Sequence, residues 1–508
     1  MKRLLYILLV VVLNVVFPIA VPSASAATTE AHTVVIGSGI SGLAAASHLT
    51  ALLPSSSKII VLESTDRVGG RLHTLQDHFT HPTDGTPIPV DLGGAWIHGT
   101  ENNPLTELAT TTISPPLTHL TTNYDNSAYF DAGALLSSSA VDAIYADFEE
   151  VLSIVEQQQD SDTELPLSSV WDAAYADLSF TDAQQRYTNY QAVNEIELSA
   201  AASISSLSHW WWNSDSAFGG PDWLFPGGYN QITNYLATDL QIVNSDPVVS
   251  IDRSSSTTVV VTTASGESYS ASNVIVTLPL GVLQKGGVAF TPPLPADIQS
   301  AIADLQMGVL DKNVLQFPSN FWDSDPSEKK DFFYNIGVGS SREELAPYLE
   351  NLNFDKYVPG SNLLCVFDSG DTAIANSELD EATRVDAVMD KIRIIWPDAP
   401  DPTNYKLTSW WNNENSYGSY SYLATGSSPD SRKAFTQGVD GKLFFAGEHS
   451  CVDMASTAHG AYMSGLDAAD RVAGVLKAAR CMSGAGAKFG AGLLGGAVLA
   501  VTSWVLAS

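Results

Sequence analysis

His32-Thr33-Val34-Val35-Ile36-Gly37-Ser38-Gly39-Ile40-Ser41-Gly42 is the stretch that decides the fold. The β-branched run ending at Ile36 reads as a short buried strand, and the Ala- and Leu-rich segment from Ile40 to Leu53 reads as a helix that Pro54 ends. Lys58-Ile59-Ile60-Val61-Leu62-Glu63 is a second apolar run. Strand, helix, strand is the opening of a doubly wound α/β sheet. Gly37, Gly39 and Gly42 have G-x-G-x-x-G spacing. The first two permit a tight turn and close approach of a pyrophosphate, and the third lets helix and strand pack closely. The helix that starts there, with Ser41 in its first turn, aims free amides and its positive dipole end at phosphate. Glu63 ends the next strand roughly 20 residues on, where an acidic side chain can accept from ribose hydroxyls.

Working outward, a helix-rich stretch with acidic faces runs from about Val141 to Ala202, and a mixed stretch from about Ile302 to Leu423. Between them, Pro247 to Ile251, Thr257 to Thr263 and Asn273 to Leu278 read as strands that return the chain to the first body. Leu443 to Gly447 is a further buried strand, followed by a helical pattern from Ala458 to Leu476. The expected division is a discontinuous dinucleotide-binding domain from 32–105, 225–300 and 430–478, and an α+β substrate domain from 106–224 and 301–429. The Trp210-Trp211-Trp212 cluster suits core or interface packing as well as a substrate wall, and no catalytic role is assigned to it.

Further blocks follow in order: Arg67-Val68-Gly69-Gly70-Arg71, Asp91 to Gly99, Leu278 to Leu283, Gly418 to Tyr422, Phe445 to His449 and His459 to Gly465. With them the sequence resembles the flavin-dependent amine oxidase family, which includes polyamine oxidases, monoamine oxidases and histone demethylases of that fold. The resemblance covers about Val34 to Val475. It implies a Rossmann-type FAD-binding domain interleaved with the substrate domain, and it implies FAD. By resemblance, Glu63 holds the adenosine ribose, Arg71 lies near the pyrophosphate and flavin, and Gly94, Ala95, Trp96 and Ile97 pass along the isoalloxazine. Val248 would offer its backbone to adenine, Glu448 would contact the ribitol and pyrophosphate side, and Thr457 and Ala458 would open the last helix toward the flavin.

The resemblance also implies the chemistry. Lys312 matches the family lysine that reaches flavin N5 through a water, against the plainer reading of an exposed loop lysine. Tyr420 matches one aromatic wall of the substrate cage, where a ring face attracts an amine's charge. Ser456-Thr457 replaces the glycine-tyrosine pair of monoamine and plant-type polyamine oxidases and looks more like animal spermine oxidases and histone demethylases, so the site should be more open there. His98 matches a histidine placed near substrate in animal-type polyamine oxidases. Ser419 stands where monoamine oxidases carry the cysteine bonded to flavin, so FAD is expected to be non-covalent. The implied reaction takes hydride from a deprotonated amine, reduces O2 to hydrogen peroxide, and hydrolyses the imine to an aldehyde and a shorter amine. Polyamines such as spermine, spermidine or their acetylated forms lead as substrates. An L-amino-acid oxidase of the same fold, using Arg186, Arg253, Arg342, Arg384 or Arg393 for a carboxylate, and a non-catalytic flavin-fold surface protein are the alternatives.

Composition bounds these readings. The 508 residues exceed what one core usually organises. The 24 Lys plus Arg against 56 Asp plus Glu give a net charge of −32, which repels phosphate backbones and favours cationic ligands. Nucleic acid is therefore not an expected partner. Cys365, Cys451 and Cys481 lie far apart without CxxC spacing and signal neither a metal site nor a disulfide framework. Residues 1–26 carry Lys2 and Arg3, an apolar run and Ala24-Ser25-Ala26, the layout of a secretory signal peptide, with an uncleaved membrane anchor as the alternative. Residues 483–508 end in an uncharged apolar tail after small residues, the layout of a lipid-anchor attachment signal, with a tail anchor or a dispensable tail as alternatives. A secreted or cell-surface protein is expected, although no Asn-x-Ser/Thr acceptor occurs. Oligomeric state is not legible.

Overall fold

The computed structural model describes residues 28–159, 161–323, 328–348, 350–475 and 479–482. The expected leader and C-terminal tail lie outside the described residues. The chain builds two large sheets. In the first, the strand Thr29–Ile36 sits between Ile59–Leu62 and Ser268–Val276, parallel to both, and Ile242–Val243 extends the edge beyond Ile59–Leu62. Ser268–Val276 forks. Its first half pairs antiparallel with Val259–Thr263, and its second half pairs parallel with Leu443–Phe445. Val248–Asp252 and Ala289–Thr291 complete the sheet.

Successive side chains of a strand point to opposite faces, so a parallel sheet covered on both sides must bury all of them. Val34, Ile36, Ile60, Leu62, Val274, Val276, Leu443 and Phe445 enter one core, while Val35, Val61, Ile275 and Phe444 enter another. The second core is closed by Ala45, Ala46 and Leu49 of the helix Ile40–Leu52 and by Ala468 and Ala469 of the helix Ala458–Val472. These helices approach closely because Gly465 carries no side chain: a Cβ there would lie 2.2 Å from the Ser41 carbonyl oxygen. The first three strands and both helices follow the sequence expectation, with ends moved by a few residues.

The second sheet runs Asn404–Leu407, Leu310–Gln316, Leu363–Ser369, Glu350–Asn353, Phe332–Ile336, Ser127–Asp131 and Ala134–Leu135. All seven residues of Leu310–Gln316 are buried, which puts Lys312 in the interior rather than on an exposed loop. The helices Ser138–Gln157, Leu167–Asp177 and Asp182–Gln191 form the helix-rich segment, and Ala192–Glu197 continues the last of them as a π-helical turn. The first sheet with its helices is α/β and the second with its helices α+β, as expected from the sequence.

One expectation is corrected. Cys451 and Cys481 form a disulfide with a Cα–Cα distance of 4.8 Å, and Cys365 is free and buried. The two lie 30 residues apart in sequence, but the helix Ala458–Val472 reverses the chain, and Cys481 carbonyl accepts from the Val452 and Asp453 amides. Sequence spacing alone could not show that reversal.

Candidate active site

The glycine-rich turn opens a groove of about 150 Å³ whose walls include Gly37, Gly39, Ser41, Glu63, Arg71, Glu448, Thr457 and Ala458. The helix Ile40–Leu52 starts at Gly39 with no side-chain cap and no acid in its first turn. Its first amides are thus unclaimed by side chains and available to an anion. A Cβ on Gly39 would meet nothing within 4 Å, because that position faces open space, whereas a Cβ on Gly42 would fall 2.0 Å from the Gly37 carbonyl oxygen. Gly39 therefore clears room for a ligand, and Gly42 serves packing.

Glu63 receives the amides of Ser38 at 2.8 Å and Thr65 at 2.9 Å, and hydroxyls of Ser38, Ser64 and Thr65 also donate to it. The amides fix the carboxylate, and the hydroxyls can rotate aside for ribose hydroxyls, so the arrangement fits a dinucleotide. Across the groove, Arg71 donates to Glu448 Oε1 at 3.0 Å and to the Ser419 carbonyl at 2.6 Å. Burial pushes the Glu448 pKa up, but Arg71, His449, Arg432 and the Ser421 hydroxyl outweigh it and hold the carboxyl below its usual range. Glu448 is therefore a carboxylate anchor at neutral pH.

Lys312 Nζ donates to the carbonyls of Gly93 at 2.6 Å and Asp91 at 3.2 Å and lies 5.4 Å from the centre of the Trp96 ring. Burial lowers its pKa, against the raising effects of Cys365 and Asp91. Lys312 thus sits behind Gly94, Ala95, Trp96 and Ile97, a segment that is packed in the interior and does not itself form the groove wall described above. Val248 pairs with Thr263 at the start of its strand and is not among the residues that wall the groove. His98 lines neither cavity. Its Nδ1 bonds Asp222 Oδ2 at 2.7 Å, the Gly99 amide and the Tyr124 hydroxyl bond the same carboxylate, and His98 Nε2 is buried without a partner.

A second cavity of about 190 Å³ meets the groove at Tyr420, Ser456 and Thr457, which line both. Tyr420 is buried, and its hydroxyl donates to the carbonyls of Ser199 at 2.9 Å and Leu198 at 3.2 Å. The Thr457 hydroxyl caps the last helix, accepting from the Gly460 amide at 2.9 Å and donating to the Met454 carbonyl at 2.8 Å. Trp211, Trp212 and Tyr422 add aromatic wall, and Glu156, Glu195 and Asp215 add carboxyls. Burial pushes Glu195 up to about 7 and Asp215 up to about 6, and it raises Glu156. Sequence reasoning missed these three acids and left the tryptophans unassigned, since isolated acids in an acidic chain read as solvated faces. Among the described residues no lysine or arginine lines this cavity. Arg186, Arg253, Arg342, Arg384 and Arg393 bond Asp131, Asp440, Asp172, Asn313 and Asp401 respectively.

A family model described as flavin containing amine oxidoreductase matches residues 40–473. The chain belongs to that family. This amine oxidoreductase is 32% identical over 463 residues to polyamine oxidase 4 of Oryza sativa subsp. japonica, covering 86% of this chain and 87% of the relative. It is 31% identical over 460 residues to polyamine oxidase 2 of Arabidopsis thaliana, covering 87% and 88%. It is also 29% identical over 455 residues to lysine-specific histone demethylase 2 of Homo sapiens, covering 87% of this chain but 53% of that protein. A solved putrescine oxidase double mutant, redesigned in cofactor binding, superposes with a TM-score of 0.67 at 18% identity, over 88% of this chain and 99% of its own, a likeness of fold. The protein is thus an enzyme that uses a flavin to oxidise amines with O2.

Proposed function

We propose that the protein oxidises polyamines, with FAD held non-covalently in the glycine-rich groove. The observation that carries this reading is the second cavity: among the described residues it has aromatic walls with three carboxyls and no lysine or arginine, and it joins the cofactor groove at Tyr420 and Thr457. Aromatic faces attract ammonium groups, and a carboxyl inside such a cavity offers a counter-charge that a neutral amine substrate does not need. When bound, the flavin supplies the two-electron acceptor whose reoxidation by O2 yields hydrogen peroxide. The chain's own residues hold and orient. The amides at Gly39 and Ser41 would hold phosphate, Glu63 would accept from ribose, and Arg71 with Glu448 would flank the far end. Tyr420, fixed by two carbonyl acceptors, presents its ring to the amine, and Lys312 places a positive charge behind the Gly93 turn. Ser419, at the position discussed above, offers no thiol for a covalent link, and its hydroxyl is occupied with Leu310.

The relatives named as polyamine oxidases support the substrate class. A secreted or cell-surface location, with the C-terminal tail as a lipid-anchor signal, belongs to the same proposal. The leader-like N-terminus supports it, and so does the Cys451–Cys481 disulfide, since such bonds persist in oxidising compartments. A substrate panel read by peroxide release tests the function. Spermine or spermidine is expected to exceed benzylamine and neutral amino acids in kcat/KM, with the polyamine value falling as salt screens the net charge of −32. Faster, salt-insensitive turnover of a zwitterionic amino acid would replace this reading with the amino-acid oxidase. Acid precipitation tests the cofactor, and yellow colour in the supernatant is the expected result.

A further inference from the structure

Glu195 lies on the π-helical turn Ala192–Glu197 and lines the second cavity while being 1% exposed. Its two oxygens are treated differently. Oε1 accepts from the Tyr145 hydroxyl at 3.0 Å and from Asn194 at 3.4 Å, whereas Oε2 is buried with no partner among the described residues. Tyr145 is itself bonded to the Tyr129 hydroxyl at 2.6 Å, and Tyr129 stacks on Tyr334 at 4.4 Å. The carboxyl is therefore braced from behind through one oxygen. Leaving a buried carboxylate oxygen unpaired costs stability unless something completes it, and Glu195 is one of the residues that line the cavity. The same helical segment carries the Leu198 and Ser199 carbonyls that fix Tyr420, so Glu195 and the aromatic wall share one support. π-helical turns interrupt α-helices at a cost and cluster at functional sites.

We infer that Glu195 accepts the proton of the substrate's ammonium group through Oε2, with Tyr145 and Tyr129 as positioning residues. This rests on the amine-oxidising reading above. The step is a simple transfer: an ammonium N–H breaks, an O–H forms on Oε2, and the electron pair left on nitrogen drives loss of hydride from the adjacent carbon. The proton leaves to water once product departs. Titrating groups facing Glu195 are Tyr145 from the helix Ser138–Gln157, Tyr129 and Tyr334 from the sheet, Tyr190 from the preceding helix and Glu350 from the strand Glu350–Asn353. Glu156 and Asp215 share the cavity. Burial raises Glu350 to about 8, so it stays protonated while Glu195 titrates.

The test is anaerobic rapid mixing of the flavin-loaded enzyme with spermine and, separately, benzylamine, following flavin bleaching across pH. For wild type, the second-order rate constant is expected to fall about tenfold per pH unit below a limb near 7 that is common to both amines. Glu195→Gln is expected to lose that limb and to be slower by on the order of 10²-fold at pH 8, its residual pH dependence following each amine's own pKa. Tyr145→Phe removes a donor that favours the charged carboxylate and is expected to move the limb to higher pH, which keeps the inference testable if the first variant fails to fold. Glu350→Gln mimics the protonated acid and is expected to leave the limb in place. A wild-type limb in Glu195→Gln, or its loss in Glu350→Gln, overturns the assignment. A wild-type enzyme that no amine bleaches overturns the amine reading instead.

Discussion

Lys312 is a buried cation with two carbonyl acceptors and an indole face, in a chain with only 24 basic residues. A fixed positive charge of this kind stabilises negative charge as it develops on reacting oxygen, at a cost already met in the folded state. Lys312→Met is expected to keep flavin bound and to slow its reoxidation on the order of 10²-fold, read by mixing reduced enzyme with oxygenated buffer. Wild-type rates in both half-reactions would leave Lys312 only the task of tying the Gly93 and Asp91 carbonyls. At this scale the sequence was informative where the groove is built from contiguous strings: Gly37, Gly39, Ser41, Glu63, Arg71, Tyr420 and Glu448 all line the groove or cavity, while Gly42 packs beneath it. It was silent on Glu156, Glu195 and Asp215 because what distinguishes them is desolvation, produced by residues far away in the chain. His98 was read from its motif as a substrate neighbour, and its bond to Asp222, distant in sequence, was not legible there.

The helix Ala458–Val472 gathers several of these roles, since Thr457 caps it, Gly465 seats it on Ser41, and the disulfide spans it. Thr457→Ala is expected to cost about 1 kcal/mol of stability through loss of the cap, with Thr457→Ser restoring most of it. Thermal unfolding of both variants checks this, and an equal loss in both would assign Thr457 to packing instead. Cys481→Ser opens a loop of 30 residues and is expected to cost about 3–4 kcal/mol by chain entropy, read as a lower Tm that reducing agent does not lower further. The helix Ile40–Leu52 and its flanking strands were legible because period and turn chemistry are local. The π-helical turn and the disulfide were not, since one depends on packing between elements far apart in sequence and the other on where a helix turns the chain back.

For the whole molecule, buried acids outweigh buried bases in setting how stability follows pH. Asp91, Asp215 and Asp311 are pushed up to about 6, Glu195 and Glu197 to about 7 and Glu350 to about 8, each by burial. A raised folded pKa gives stability that is present below the unfolded value and lost as pH rises through the folded one. His73 and His449, held near 4, and His459, near 3, oppose this by losing stability as pH falls below the ordinary 6.5. The six acids exceed the three histidines, and self-repulsion of a net −32 acts in the same direction as the acids. Tm is therefore expected to rise from pH 8 to about pH 5, then to fall as Glu448 and the other carboxyls with lowered pKa values are protonated. A Tm that climbs steadily from pH 5 to 8 would contradict the account. The disulfide has one more consequence under the proposed reaction, which would release hydrogen peroxide at the active site. Thiolates are the side chains peroxide attacks first. Here two of the three cysteine sulfurs are already spent on each other, and the third, Cys365, is buried with its pKa pushed up to about 12. Catalyst and product can share the same space for many turnovers, and thiol-blocking reagents should leave activity untouched.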